Sequence, residues 1–264
     1  VEPDAKSETD LITSRANPLV KKIRALRDGA TRARTGLFLV EGIHPVGEAL
    51  AAGWEIESLI YAPGTLRSPY ARDMLSRFPG RKQRVTASVF EAVAEKENPQ
   101  GILAVVRKRE RRLADLARVT TAVALDTPQD PGNLGTVIRT VDAVSGDAVF
   151  VLDGGVDPFH PVVPRASMGG LFWIPVLSVT FSDFSAWRKA HHCQLIGTSA
   201  HDGTDFRRFV PTPPWILLLG SEQKGLSDVK KAECDVVLTL PMTGRASSLN
   251  LAVAAGVLLY SLTS

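Results

Sequence analysis

Polar residues stand where a buried apolar segment should begin in the stretch Leu240-Pro241-Met242-Thr243-Gly244-Arg245-Ala246-Ser247-Ser248-Leu249-Asn250, which runs into an almost wholly apolar segment ending at Tyr260. Serine ahead of such a run predicts an N-cap for a helix over Leu249 to Tyr260, and a helix start set among glycine and serine offers backbone N–H groups to a ligand. Asn250, in the first turn, adds a donor and an acceptor. The plainer alternative is a capped core helix. A second segment, Asp130-Pro131-Gly132-Asn133-Leu134-Gly135-Thr136-Val137-Ile138-Arg139, opens a helix whose apolar stripe is Leu134, Val137, Ile138, Val141 and Val144, while Gly135 and Arg139 share a different face. A glycine one turn before an arginine leaves space for a ligand backbone beside a cation; the competing reading is an arginine paired with Asp142 or another acid. In the third segment, Leu219-Gly220-Ser221-Glu222-Gln223-Lys224-Gly225-Leu226-Ser227, a carboxylate sits in a glycine-flanked loop after an apolar strand. It either contacts a substrate or, the favoured reading, orders the loop by accepting backbone N–H bonds.

In this order and at these distances the three segments resemble motifs one, two and three of the SpoU (TrmH) family of RNA ribose 2′-O-methyltransferases, in the SPOUT superfamily, and the resemblance spans residues 119 to 264. The stretch from Phe38-Leu39-Val40-Glu41-Gly42 through Trp54 and Tyr61 is similar, more loosely, to the L30e-like RNA-binding domain that precedes the catalytic domain in many members. The resemblance implies S-adenosylmethionine as cofactor and a ribose hydroxyl in structured RNA as acceptor, with ribosomal RNA ahead of tRNA. It also implies a homodimer formed through the second domain and a C-terminal trefoil knot, contrary to the usual rule against knots.

Methylating a poorly acidic hydroxyl requires in-line alignment and a lowered cost of losing its proton. By resemblance the catalytic set is Arg139, Asn133, Glu222, Ser248 and Asn250, with Ser248 and Asn250 near the substrate ribose and Asn133 capping its helix or holding the ribose. A guanidinium stays protonated in proteins, so the role assigned to Arg139 is to grip the phosphate beside the target ribose and orient the 2′-hydroxyl, with phosphate or water taking the proton. The implied cofactor residues are Thr198, Leu219, Gly220, Glu222, Gly225, Leu240, Met242, Ser248 and Leu249, acting largely through backbone, with adenine in an apolar slot. Ser221 stands where the family usually has asparagine, and Arg165 falls in a segment, Arg165 to Gly169, whose basic and small residues face substrate or partner subunit in the family. Two other classes compete: a catalytically silent RNA-binding or ribosome-assembly protein, against which the intact Arg139, Glu222, Ser248 and Asn250 argue, and a small-molecule α/β enzyme.

The elements that must position these residues divide by charge. Residues 1 to 118 carry 21 Lys+Arg against 15 Asp+Glu, a balance of +6, whereas residues 119 to 264 carry 10 against 13, a balance of −3. Between positions 15 and 34 seven cations face only Asp28, and Arg107-Lys108-Arg109-Glu110-Arg111-Arg112 forms a second basic run. Such runs are often plain solvated surface, but two in the half that resembles an RNA-binding domain assign RNA contacts to Arg15, Lys21, Lys22, Arg24, Arg32 and Arg34, joined by Arg165. Cys193 and Cys234 lie 41 positions apart and His191-His192 reads as a solvated helix end, so no metal site is expected. Asn250 and Gly256 interrupt the longest apolar run, and the acidic, polar first ten residues read as disordered and unlike a signal peptide; the expectation is a cytoplasmic protein with no membrane contact.

Hydrophobic content of 44% over 264 residues supports real cores. Over 12–108 the pattern predicts a small α/β domain: a basic amphipathic segment with Leu19, Ile23 and Leu26, strand 36–40, helix 44–52, strand 56–61, a helix near 70–77, a strand near Val85, a helix from Ser88 and a strand 101–106. Residues 109–118 read as a linker with some helical character. Over 119–264 the runs Ala122 to Leu125, Ala148 to Leu152, Leu195 to Thr198, Ile216 to Leu219 and Val236 to Leu240 lack polar alternation, which predicts a parallel sheet covered by helices on both faces. Ligands of such sheets lie at the carboxyl ends of the strands, where all three motifs fall. Asp153-Gly154-Gly155 reads as a turn, and neither a Rossmann nor a Walker fingerprint is present.

Overall fold

The computed structural model describes residues 11–95, 97–116 and 118–263; the acidic stretch read as disordered lies outside them. The chain forms two compact units, one of the described residues through Arg109 together with Phe159–Phe172, the other of Glu110–Pro158 with the described residues from Trp173 onward.

The first unit begins with α1 (Pro18–Ala25), started by Asn17, whose side chain accepts from Leu19 N. Next come α2 (Gly29–Thr35), β1 (Leu37–Glu41), α3 (Ile43–Ala51), β2 (Ile56–Tyr61), α4 (Pro69–Arg77), β3 (Arg81–Arg84), α5 (Ala87–Val93) and β4 (Ile102–Arg107). The four strands form one sheet in the order β1-β4-β2-β3. Val20, Ile23 and Leu26 bury one face of the basic amphipathic segment against Leu39, Ile60, Phe90 and Leu103, each apolar side chain contributing about 1.5–3 kcal/mol. The basic face is left outward on Lys21 and Arg24.

The second unit contains β5 (Thr121–Asp126), α6 (Pro131–Ala143) and β6 (Ala148–Leu152). The chain then departs through α7 (Val162–Ala166), which belongs to the first unit, and returns as β7 (Val176–Val179), α8 (Phe181–Ala190), β8 (Gln194–Ser199), β9 (Thr204–Asp205), β10 (Trp215–Leu219), α9 (Asp228–Ala232), β11 (Val236–Thr239) and α10 (Leu251–Leu262). Every pairing in its sheet is parallel, in the order β7-β6-β5-β10-β8-β11-β9. Two strands, β7 and β9, add to the five apolar runs. The first alternates, with Ser178 exposed, and the second has only two residues, so neither carries the continuous apolar signature.

The excursion over Phe159–Phe172 is held in the first unit by aromatic packing. Phe159 lies 4.9 Å from Phe38 and Phe172 5.2 Å from Trp54, ring centroid to centroid, and Trp54 Nε1 donates to Phe172 O at 3.0 Å. Lys108 and Arg109 stack over Phe159 and Trp54, and Arg109 also donates to Gly53 O at 2.8 Å. The second basic run is therefore partly docked on its own unit. Of the expected helical linker, a single 3₁₀ turn over Leu113–Asp115 forms among the described residues.

Candidate functional site

A cavity of about 570 Å³ opens at the carboxyl ends of β8, β10 and β11, with Thr198, Leu219, Gly220, Glu222, Gly225, Leu240, Met242, Ser248 and Leu249 all in its walls. Gly220 lets the loop after β10 fold back on itself, since a Cβ there would overlap the backbone of Gly225 and Leu226, and Gly225 takes a left-handed φ of 65°. Ser221 closes the loop: its carbonyl accepts from Gly225 N at 2.9 Å and its Oγ from Lys224 N at 3.3 Å. Ser199, Ala200, His201, Lys224, Lys231 and Ser247 also line the cavity. Ser199, Ala200 and His201 escape the sequence because the loop after β8 carries no motif, and only its position after an apolar strand marks it; Lys224 and Ser247 lie within the motif segments, and Lys231 comes from α9.

One hydrogen-bonded relay joins the three motifs. The Glu222 carboxylate accepts from Gln129 N at 3.2 Å and from Asn133 Nδ2 at 3.1 Å; Asn133 Oδ1 accepts from Asn250 Nδ2 at 3.0 Å. Asn250 Oδ1 in turn accepts from Ala252 N at 2.9 Å and Val253 N at 3.3 Å. Asn250 is thus the N-cap of α10, which starts at Leu251, and the serine cap expected before Leu249 is corrected: an amide can cap with its oxygen while its nitrogen bridges, which a hydroxyl at Ser248 does not do here. Likewise Asp130 caps α6 by accepting from Asn133 N at 2.7 Å, so the Asn133 side chain is available for the bridge and is not itself the cap. Glu222 orders backbone, but of the loop after β5 and not of its own.

Arg139 is exposed on α6, outside the walls of the cavity, and makes no hydrogen bond or ion pair among the described residues, including none with Asp142. Ser248 is also exposed. Lys230 of α9 reaches Asp126 at the end of β5 and Asp153 just after β6, both at 2.6 Å, and lies 5.0 Å from the Phe181 ring centre. Burial opposes charge on this lysine, but the two carboxylates outweigh it and raise its pKa. Burial likewise opposes the Asp153 carboxylate, and bonds from Lys230 and Phe181 N outweigh it and lower its pKa. Asp153, at φ 55°, is more than a turn residue: it ties β6 to α8 and α9.

Among the expected RNA contacts Arg15, Lys21, Arg24 and Arg34 are exposed, and Arg165 is half-buried on α7. Lys22 pairs with Glu57 at 2.6 Å. The assignment of Arg32 is corrected: it is 2% exposed and its guanidinium donates to Leu26 O at 3.0 Å and Arg27 O at 2.7 Å, closing the end of α1, so it is not available to a phosphate.

The second unit is a parallel α/β domain with a cleft at its strand ends, and a basic α/β unit precedes it in the chain. Its relationships are specific. The chain belongs to the SpoU rRNA methylase family, whose sequence profile matches residues 120–260, and the profile of the MRM3-like substrate binding domain matches residues 17–104. It is 34% identical to the 23S rRNA (guanosine(2553)-2'-O)-methyltransferase RlmP of Bacillus subtilis over 95% of this chain and 98% of that protein. The crystal structure of an AdoMet-bound rRNA methyltransferase from Sinorhizobium meliloti superimposes with a TM-score of 0.85 at 36% identity, covering 96% of each chain. The SpoU methyltransferase AviRb from Streptomyces viridochromogenes, in complex with AdoMet, does so with a TM-score of 0.85 at 31% identity, over 94% of this chain and 97% of that one.

Proposed function

We propose that this protein methylates a ribose 2′-hydroxyl of ribosomal RNA with S-adenosylmethionine. The observation that carries the reading is the Glu222–Asn133–Asn250 relay, which fixes the three motifs beside the strand-end cavity and leaves Arg139 unpaired. The cavity suits the cofactor: Leu219, Leu240, Met242 and Leu249 offer an apolar slot for adenine, the loop backbone offers polar contacts, and 570 Å³ lies within the range of small-ligand pockets. When bound, the cofactor supplies a methyl group on a sulfonium, which becomes a thioether as the ribose oxygen gains the methyl and loses its proton. The chain's own residues orient the acceptor. Arg139 holds the phosphate next to the target ribose as a permanent cation, Ser248 and the Asn133–Asn250 pair sit toward the ribose, and Glu222 keeps both amides in one orientation.

Further parts of this reading are a homodimer through the second unit, a trefoil knot formed by the segment from Leu240 into α10, and a cytoplasmic location. The exposed apolar residues of α10 support the first, and the packing of α10 on α6 is consistent with the second. Among the described residues no helix is long and apolar enough to cross a membrane. The chain divides in function into an RNA-binding domain over 12–108, a linker over 109–118 and a methyltransferase domain over 119–264, with residues 159–172 lending their packing to the first unit. The test is transfer of labelled methyl from S-adenosylmethionine to 23S, 16S and transfer RNA, with the modified nucleotide mapped. Label confined to a ribose of ribosomal RNA is expected; label on a base, or only in transfer RNA, would overturn the reading.

A further inference from the structure

The first unit holds a second cavity, of about 360 Å³, where the carboxyl end of β2, helix α4 and the strand β3 meet. Tyr61, Leu66, Arg72, Leu75 and Lys82 are in its walls, and no carboxylate is. Arg72 Nη2 donates to Leu66 O at 3.4 Å and Lys82 Nζ to Leu75 O at 3.3 Å, which tethers both cationic side chains at the cavity. The Tyr61 ring is half-buried and its hydroxyl makes no hydrogen bond among the described residues. The surroundings are strongly basic. From position 61 to 84 there are six cations (Arg67, Arg72, Arg77, Arg81, Lys82 and Arg84) against one acid, Asp73, which Arg77 engages at 3.0 Å. β3 is the last strand of its sheet and places Lys82 in the cavity wall, while Ile12 N donates to Arg84 O at 3.0 Å at the end of the strand.

This is a different locus from the basic runs at 15–34 and 107–112. A charged surface alone suits the backbone of a duplex. A cavity with an aromatic ring and leucine walls, flanked by cations, asks for more: a base out of its stack against the ring, with its phosphates on the cations. We propose that this cavity binds an unpaired nucleotide of the RNA substrate, the base stacked on Tyr61 and a flanking phosphate held by Arg72 and Lys82. The identity of the ligand rests on the RNA-methyltransferase reading above; the cavity's chemistry does not.

The experiment uses the full chain and its variants Tyr61→Leu, Tyr61→Phe and Lys82→Gln with a 4-thiouridine-substituted 23S rRNA transcript, in filter binding over a salt series and in photo-crosslinking. Tyr61→Leu is expected to weaken binding about ten-fold or more at an unchanged salt slope, and Tyr61→Phe to keep parental affinity. Lys82→Gln should weaken binding and reduce the salt slope by about one. Cross-links on the unsubstituted chain should map to the peptide holding Tyr61, and every variant should keep the parent's circular dichroism spectrum and thermal melt, which verifies its fold. If Tyr61→Leu binds within about two-fold of the parent, or the cross-links avoid Tyr61, the proposal is overturned. Should Tyr61→Leu misfold, the Lys82→Gln slope and the parental cross-link map decide. RNA binding through Tyr61 without methyl transfer to ribosomal RNA would sink the function reading and leave the cavity standing; transfer unaffected by these variants would do the reverse.

Discussion

Asn250 donates to Asn133 across 117 positions of sequence, at 3.0 Å, and the direction of that bond is dictated by Glu222. A carboxylate only accepts, so Asn133 must present its Nδ2 to Glu222 and its Oδ1 to Asn250, whose own Oδ1 is then turned to the first amides of α10. Replacing Asn133 by Asp sets two carboxylates against each other and removes the donor to Glu222. Bonds to charged groups contribute about 1.5–3 kcal/mol, and partial exposure brings the expectation down to about 1.4 kcal/mol, a ten-fold loss of S-adenosylmethionine affinity by calorimetry. Adding Glu222→Gln restores a donor and should recover part of that loss. Parental affinity in Asn133→Asp would mean that the relay does not shape the cavity.

Arg139 makes no hydrogen bond or ion pair among the described residues, so its removal strands no polar partner there. Arg139→Ala is expected to melt within about 1 °C of the parent and to bind S-adenosylmethionine within a few-fold, while turnover falls by about two orders of magnitude or more, as for an interaction made with substrate. Retention of most turnover would remove Arg139 from the catalytic set.

Lys230 links β5, β6 and α9 through two aspartates, and its contribution has a defined pH window. Its pKa is raised above 10.5, so the stability it adds is full below about that pH and is lost as pH rises through the raised value. That of Asp153 is lowered below 3.8, so its share is present above about 3.8 and lost as pH falls through the lowered value. Lys230→Met leaves both carboxylates without their cation and is expected to cost about 2 kcal/mol near neutrality, less than a fully buried pair because Asp153 is part-exposed. Thermal melts across pH should show the gap between parent and variant narrowing as pH falls through the lowered Asp153 value, because the variant has no ion pair left to lose, and narrowing again above the raised lysine value. Coincident curves would contradict the role.

How far the sequence anticipates all this depends on what each signal encodes. Strands β5, β6 and β10 are legible because they are buried on both faces, β8 and β11 because their runs are mostly apolar, and the walls of the cavity follow from the loops after β8, β10 and β11. β7 and β9 are not, one alternating and one too short. The identity of the cap of α10 escapes because Ser248 and Asn250 are equally good by type, and only the position of Asn133 in space selects the amide. Arg32 reads as a surface cation because its backbone acceptors at Leu26 and Arg27 come from a helix end that no charge pattern reveals. The docking of Phe159 and Phe172 on Phe38 and Trp54 is likewise hidden, since those residues are as apolar as any core residue of the domain they interrupt.

The last prediction concerns α10, whose hydrophobicity looks uniform in sequence but is used on two faces. Leu251, Ala255, Leu258 and Leu262 are buried in the second unit, whereas Val253, Val257 and Tyr260, at i, i+4 and i+7, are 52%, 40% and 58% exposed. An apolar stripe of that kind, with Leu249 just before the helix also 39% exposed, costs free energy in water unless a second surface covers it, and a two-fold copy of itself is self-complementary. Val257→Glu places a charge at the centre of the stripe without touching the buried face. Sedimentation at micromolar concentration should show the parent as a dimer and the variant as a monomer of intact fold, with S-adenosylmethionine affinity weakened because the stripe borders the cavity wall at Leu249. A parent that sediments as a monomer, or a Val257→Glu variant that remains a dimer, would rule out α10 as the interface.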